Sequence, residues 1–222
     1  MKCTALFREG GSVAYSRIAG YDYPWEVIPH IKDIIYEIAK ELDPEEYYSP
    51  SEGVWISKKA EVAPTACVTA PTIIMAGASV RHCAFIRGSV LVGEGAVIGN
   101  SCEVKNAIIF DGAQIPHFNY VGDSIIGKKA HLGAGAVTSN VKSDRTPVTV
   151  RVISEGYDER IETALKKMGA VLGDLVEVGC GAVLNPGTVI GPDSNVYPQC
   201  SVRGFVPSGV IYKSEGNMVK KD

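Results

Sequence analysis

No stretch of the sequence approaches the roughly 18 uninterrupted apolar residues of a membrane-spanning helix, and the opening MKCTALFREGG has no apolar core of a secretory leader. Lys and Arg are scattered, and the formal net charge is −3, so the basic footprint that a nucleic-acid partner needs is missing. The six cysteines show no CxxC spacing and are expected to be reduced structural thiols. Two of them, Cys102 and Cys200, fall where the pattern described below wants a small buried residue. A soluble, cytoplasmic chain with no nucleic-acid or membrane partner is the expectation. Apolar residues make up 45% of the 222, enough for a real core.

What is abundant is repetition. From residue 56 an aliphatic returns every six positions, as Ile56, Val62, Val68, Ile74, Val80, Ile86, Val92, Ile98 and Val104. The series drops one residue and resumes as Ile109, Ile115 and Val121, drops another for Ile126 and Leu132, and returns as Leu172, Val178, Leu184, Ile190, Val196 and Val202. A small residue or Val stands two positions before each, and Asn119 is the departure. A period of six fits neither the 3.6 of a helix nor plain alternation. It fits a solenoid of short parallel strands, three hexapeptides to a coil, around a stacked aliphatic interior. Twenty hexapeptides predict six to seven coils and a prism about 30 Å tall.

Two segments lie outside the repeat. In residues 23–43 the apolar positions Val27, Ile28, Ile31, Ile34, Ile35, Ile38 and Leu42 follow helical spacing. That amphipathic helix is predicted to cap the lower end of the prism, within an N-terminal segment 1–52. The solenoid runs over 53–210 with an excursion at about 139–171, containing a strand-like PVTVRVI and a helix-like ERIETALKKM. Residues 211–222 read as a C-terminal tail.

Register then places polar side chains. Arg87 and Lys105 each follow an inward aliphatic on the same face, 18 residues apart, and so project outward one above the other. Tyr120 projects from the same face in the next coil, with Asn119 in its strand and His117 at the corner leading into it. Two stacked cations form an anion seat, Arg suited to bidentate phosphate contact and Lys to a point charge. A histidine beside them can take a proton from a nucleophile near neutral pH. The plainer reading is a stacked corner ladder of His82, Asn100 and His117. His131 projects from the neighbouring face and counts as possibly site-lining.

The hexapeptides resemble the left-handed parallel β-helix of the hexapeptide-repeat acyltransferases, and the expected handedness comes from that resemblance. VIGNSCEVKNA together with QIPHFNYVGDSIIGKKAHLGAGAVTSN resembles the acetyltransferase half of the bifunctional enzymes that acetylate glucosamine 1-phosphate and then uridylylate it. The resemblance implies His117 as the general base, Arg87 and Lys105 as sugar-phosphate or nucleotide-sugar ligands, and Tyr120, Asn119 and His131 as sugar contacts. It implies that Gly133, Ala134, Gly135 and Asn140, in GAGAVTSN, contact acetyl-CoA, and that the chain forms a homotrimer. The sequence departs from the family pattern at Asn119, His131, Val141, Asp174 and Pro192. With its YPWE helix before the prism, it also resembles compact proteins labelled as related to UDP-N-acetylglucosamine pyrophosphorylase. The uridylyltransferase half needs its own α/β domain and a GxGTR loop, and neither is in this sequence, so no pyrophosphorylase activity is expected.

Two other motifs fail. GDSIIGKK (122–129) nearly spells a P-loop, but Lys129 stands where Ser or Thr should bind Mg²⁺. The γ-class carbonic anhydrase zinc site needs closely spaced histidines, and His117 and His131 are 14 apart, so no metal is expected. The expected protein is an acetyl-CoA-dependent N-acyltransferase of an amino-sugar phosphate or nucleotide sugar; the rival is a non-catalytic sugar-nucleotide-binding or scaffold trimer.

Overall fold

A hexapeptide lays down two or three strand residues and then turns. In the computed structural model, which describes residues 1–154 and 157–221, three such steps close one coil of a parallel β-helix. Its inward residues form three stacks. Face a carries Ile56, Ile74, Val92, Ile109, Ile126, Leu172, Ile190 and Val206. Face b carries Val62, Val80, Ile98, Ile115, Leu132, Val178, Val196 and Tyr212. Face c carries Val68, Ile86, Val104, Val121, Thr138, Leu184 and Val202.

The prism is therefore taller than the aliphatic count implies, with rungs at Thr138, Val206 and Tyr212 that the periodicity missed. Thr138 fits an inward position because its hydroxyl accepts the Gly122 N–H at 3.0 Å and bonds the Ser124 hydroxyl at 3.1 Å. Burying an aliphatic stabilises by about 1.5–3 kcal/mol, so the three stacks carry much of the fold's stability. The segment expected as a C-terminal tail (211–222) is built into the solenoid over its residues 211–220. Val210–Ser214 is the last rung of face b, and Asn217–Lys220 folds back antiparallel against it, covering the upper sheet edge.

Face a is unlike the other two on its outer side. The residue before each inward aliphatic is apolar in every coil: Trp55, Ile73, Leu91, Ile108, Ile125, Val171, Val189 and Phe205. This outer stripe must be covered, and the chain covers it with both segments that lie outside the repeat. The turn Pro24–His30 and the helix Ile31–Ala39 place Val27, Ile28, Ile31, Ile34, Ile35 and Ile38 on it. The predicted end cap is thus a side wall, because a helix with one apolar stripe finds its complement on face a. At the lower end, Tyr47–Ser51 pairs antiparallel with Val54–Ser57.

The excursion supplies the rest of the wall. Thr149–Ser154 pairs antiparallel with Tyr157–Glu162, and Val148, Val150 and Met168 pack with Val171 and Val189. The segment read as helix-like, ERIETALKKM, begins as a strand, with Ile161 opposite Val150. Pairing with PVTVRVI overrides its helical spacing. Asp174, an unexplained departure in the sequence, latches the N-terminal segment to the prism. Its buried carboxylate accepts the backbone N–H groups of Arg8 and Lys128, both at 2.8 Å, and burial raises its pKa. Among the described residues no helix is long and apolar enough to cross a membrane.

Ile108 is 0% exposed although it points away from the prism interior. Ile108→Ala should lower unfolding free energy by about 3 kcal/mol in urea denaturation, as for a core position. A loss below about 0.5 kcal/mol would mean that the helical wall does not bury face a.

Candidate functional site

Face c is the outer face on which the predicted polar residues meet. Parallel pairing sets Lys105 one rung above Arg87, whose backbone N–H bonds the Val104 carbonyl at 2.8 Å, and Gly122 one rung above Lys105. Tyr120 lies above Glu103 in the neighbouring column, but its ring leans across Gly122. A Cβ at Gly122 would stand 2.5 Å from the Tyr120 hydroxyl oxygen and 3.0 Å from the Asn140 amide nitrogen. Glycine here is what lets the phenol lie over Lys105's column.

Electrostatically the seat differs from a bare pair of cations. Arg87 is paired with Glu103 at 2.6 Å, and Lys105 with Asp123 at 3.3 Å. The first pair is open, its side chains 45% and 38% exposed. Such a solvent-screened pair contributes little stability, so an anion can compete with Glu103 for the guanidinium. The second is anchored, because Asp123 is 4% exposed. Asp123 also takes hydrogen bonds from the Asn106 amide, at 2.9 Å, and from the Asn140 amide. Asn140 donates in addition to the Tyr120 hydroxyl at 3.1 Å. Burial first and Asp123 second raise the Tyr120 pKa, so this phenol stays protonated at neutral pH.

Glu103 and Asp123 were missed as members of the site. The signal was available, since Glu103 is two residues before Lys105 and so shares its outward side. Asp123 was hidden because the dropped residue puts it at a shortened corner, with φ of 49°.

His117 stands at the opposite edge of the same face. It belongs to a corner ladder of His82, Asn100, His117, Ala134 and Cys180, in which each carbonyl accepts the N–H of the left-handed residue in the next coil. The corner ladder is therefore present, and His117 is one of its rungs. In the lower rungs the side chains are engaged: His82 bonds the Thr65 hydroxyl at 2.9 Å, and the Asn100 amide donates to the His82 carbonyl at 3.0 Å. The exposed His117 imidazole makes no side-chain hydrogen bond among the described residues. Its ring neighbour is Phe118, which is 63% exposed at a left-handed corner position. Five steps of chain lead from His117 to Gly122, at most about 16 Å, with His117 at the corner that opens the face c strand and Gly122 just past its inward Val121.

Asn119 and Asn140 are placed differently from the expectation, and His131 lies on the neighbouring face as expected. Asn119 is 2% exposed and turns inward; its amide donates to the carbonyls of Gly133 at 2.8 Å and Ala136 at 2.9 Å, and its side-chain oxygen accepts the His117 N–H at 3.0 Å. Buried, it holds the corner under His117. His131 lies on face b, against Glu177 at 3.0 Å, on the other sheet from Arg87 and Lys105. Asn140, expected with the acetyl-CoA segment, points into the Tyr120–Asp123 cluster.

The glycines of GAGAVTSN have local causes. A Cβ at Gly133 would come within 2.6 Å of the Cys180 backbone nitrogen, and Gly135 has φ of 71°. Close stacking and a left-handed corner are enough to require glycine at both positions. Ala134 between them is half-buried, and its N–H donates to no protein acceptor among the described residues. That free donor, one coil above His117, suits an oxygen that gains negative charge. Among the described residues no group of three or more His, Cys, Asp or Glu side chains is placed to hold a metal ion.

Residues 68–196 match the family model described as GMPPB C-terminal domain. Among curated proteins, the "Bifunctional protein GlmU" of Methanococcus vannielii is 35% identical over 139 residues, covering 62% of this chain and 32% of that protein. The protein of the same name from Methanococcus maripaludis is 29% identical over 222 residues, covering 96% of this chain and 52% of that protein. The chain thus spans a third to a half of the length of these curated relatives. A solved hexapeptide transferase family protein from Anaplasma phagocytophilum superposes with a TM-score of 0.42 at 16% identity, covering 77% of this chain and 81% of that one.

Asn119→Ala would leave the Ala136 carbonyl and the His117 N–H without partners, while the Gly133 carbonyl keeps the Ala136 N–H at 3.0 Å. Thermal and urea unfolding should show a loss of about 2–4 kcal/mol. A variant of unchanged stability would return Asn119 to the list of direct ligands.

Proposed function

We propose, from the premise that the chain belongs to the family described as GMPPB C-terminal domain, that it is an acetyl-CoA-dependent N-acetyltransferase of an amino-sugar phosphate or nucleotide sugar. The observation that carries the reading is the exposed His117 imidazole one coil beneath the Ala134 N–H, neither of them with a hydrogen-bond partner among the described residues. A base and an oxyanion donor in adjacent coils are what acyl transfer to an amine needs. The similarity to two proteins named as bifunctional GlmU supports the acceptor class.

In this reading His117 takes the proton of the attacking amine as the N–C bond forms. Ala134's N–H faces the carbonyl oxygen as the C–S bond breaks, and the departing sulfur takes up a proton to leave as free thiol. Arg87 exchanges Glu103 for phosphate, while Lys105, fixed by Asp123, contributes a second charge. The protonated Tyr120 hydroxyl, whose oxygen already accepts from Asn140, donates to a sugar oxygen.

The assembly in this reading is a homotrimer. Faces b and c are left uncovered by the chain itself, and Phe85 and Val183 project from face c with 39% and 37% exposure. Light scattering should give three times the 23.6 kDa chain mass, and a monomer would remove this part of the reading.

Thiol release from acetyl-CoA with glucosamine 1-phosphate should fall roughly 10²–10⁴-fold in His117→Ala. Arg87→Ala should raise the acceptor KM with a smaller change in kcat. Equal rates in wild type and His117→Ala would overturn the assignment of the base. No release by either protein, with sugar-phosphate binding retained, would favour a non-catalytic binding protein.

A further inference from the structure

Two carboxylates are buried among the described polar residues, Asp174 and Asp123. Asp174 is satisfied by backbone N–H groups, and its role ends with tying two segments together. Asp123 is satisfied differently. Its side-chain partners are the Lys105 ammonium, the Asn106 amide and the Asn140 amide. Two of these project onto the outer surface of face c, and Asn140 also bonds the Tyr120 hydroxyl.

Burying a carboxylate costs stability unless it is fully paired. Here the cost is met by groups that set the surface chemistry, not by the core. The backbone that carries the carboxylate, and that of Asn140, is held from behind. The Asp123 carbonyl accepts the Gly169 N–H at 2.8 Å, and the Asn140 carbonyl accepts the Met168 N–H at 3.0 Å, both donors lying at the end of the excursion. The Asn106 amide lies between Asp123 and the Ile28 carbonyl, at 3.4 Å, so the N-terminal wall also reaches this node.

From this convergence we infer that Asp123 is a positioning residue of the acceptor site: one buried carboxylate sets where the Lys105 ammonium and the Asn140 amide stand and, through Asn140, where the Tyr120 hydroxyl points. The inference rests on the reading that Arg87, Lys105 and Tyr120 receive the phosphorylated acceptor. Asp123 acts through these side chains and does not touch the reacting atoms.

A double-mutant cycle tests it, read by calorimetric binding of glucosamine 1-phosphate and, separately, by thiol release. Lys105→Met and Asp123→Asn should each weaken binding about tenfold, and the double variant should be within about twofold of Lys105→Met alone. Losses that multiply, or an Asp123→Asn variant that binds as wild type, would overturn the inference, since a general structural role predicts no coupling to Lys105. If Asp123→Asn does not fold, the cycle of Lys105→Met with Asn140→Ala replaces it. These two side chains share Asp123 but have no hydrogen bond to each other, so strong non-additivity between them supports the inference and additivity overturns it. A wild type that binds the sugar phosphate but releases no thiol removes the acetyltransferase reading and leaves the binding cycle to decide. A wild type that binds none overturns both.

Discussion

Backbone hydrogen bonding between successive coils is the constraint on which the rest of this protein depends. Because each strand pairs in parallel with the one a coil below, a residue's place on the surface is fixed by its count within the coil. Residues far apart in sequence, such as Arg87, Lys105 and Gly122, become vertical neighbours without any direct attraction between their side chains. The aliphatic stacks hold the coils closed, and the corners, with their left-handed residues, hold them short.

The polar face shows how that scaffold is used. A parallel ladder delivers side chains to one surface but does not choose their rotamers. On face c the choice is made by charge pairing: Glu103 holds Arg87 loosely in the open, and Asp123 holds Lys105 from below the surface. The two cations therefore differ in kind, one exchangeable and one fixed. Across the same face, the corner ladder brings the His117 imidazole beneath the Ala134 N–H, both without hydrogen-bond partners among the described residues. The imidazole and the two cations thus stand at opposite edges of one face, a strand's width apart in register.

The two segments outside the repeat have one physical purpose in common. Face a presents an apolar stripe on its outer side, and an uncovered stripe of that length would be an association hazard. The N-terminal helices cover one part and the excursion's hairpin another, so both pack on the same outer face. Their inner edges touch the face c cluster through the Ile28 carbonyl and the Gly169 and Met168 N–H groups. Covering the side of the prism and bracing its polar face are thus one construction.

How much of this was legible follows from which interactions are periodic. The sequence alone determined the six-residue step, the inward stacks, and the sharing of one face by Arg87, Lys105 and Tyr120, because a repeat converts position into direction. It also held the apolar stripe Trp55, Ile73, Leu91, Ile108 and Ile125, whose spacing declares a covered face. Only the tertiary structure decided that the amphipathic helix is a wall and not a lid, that Asn119 turns inward, and that Asn140 belongs with Tyr120 and Asp123. Those outcomes depend on partners brought together by loops and shortened corners, where the count is broken and direction no longer follows from position.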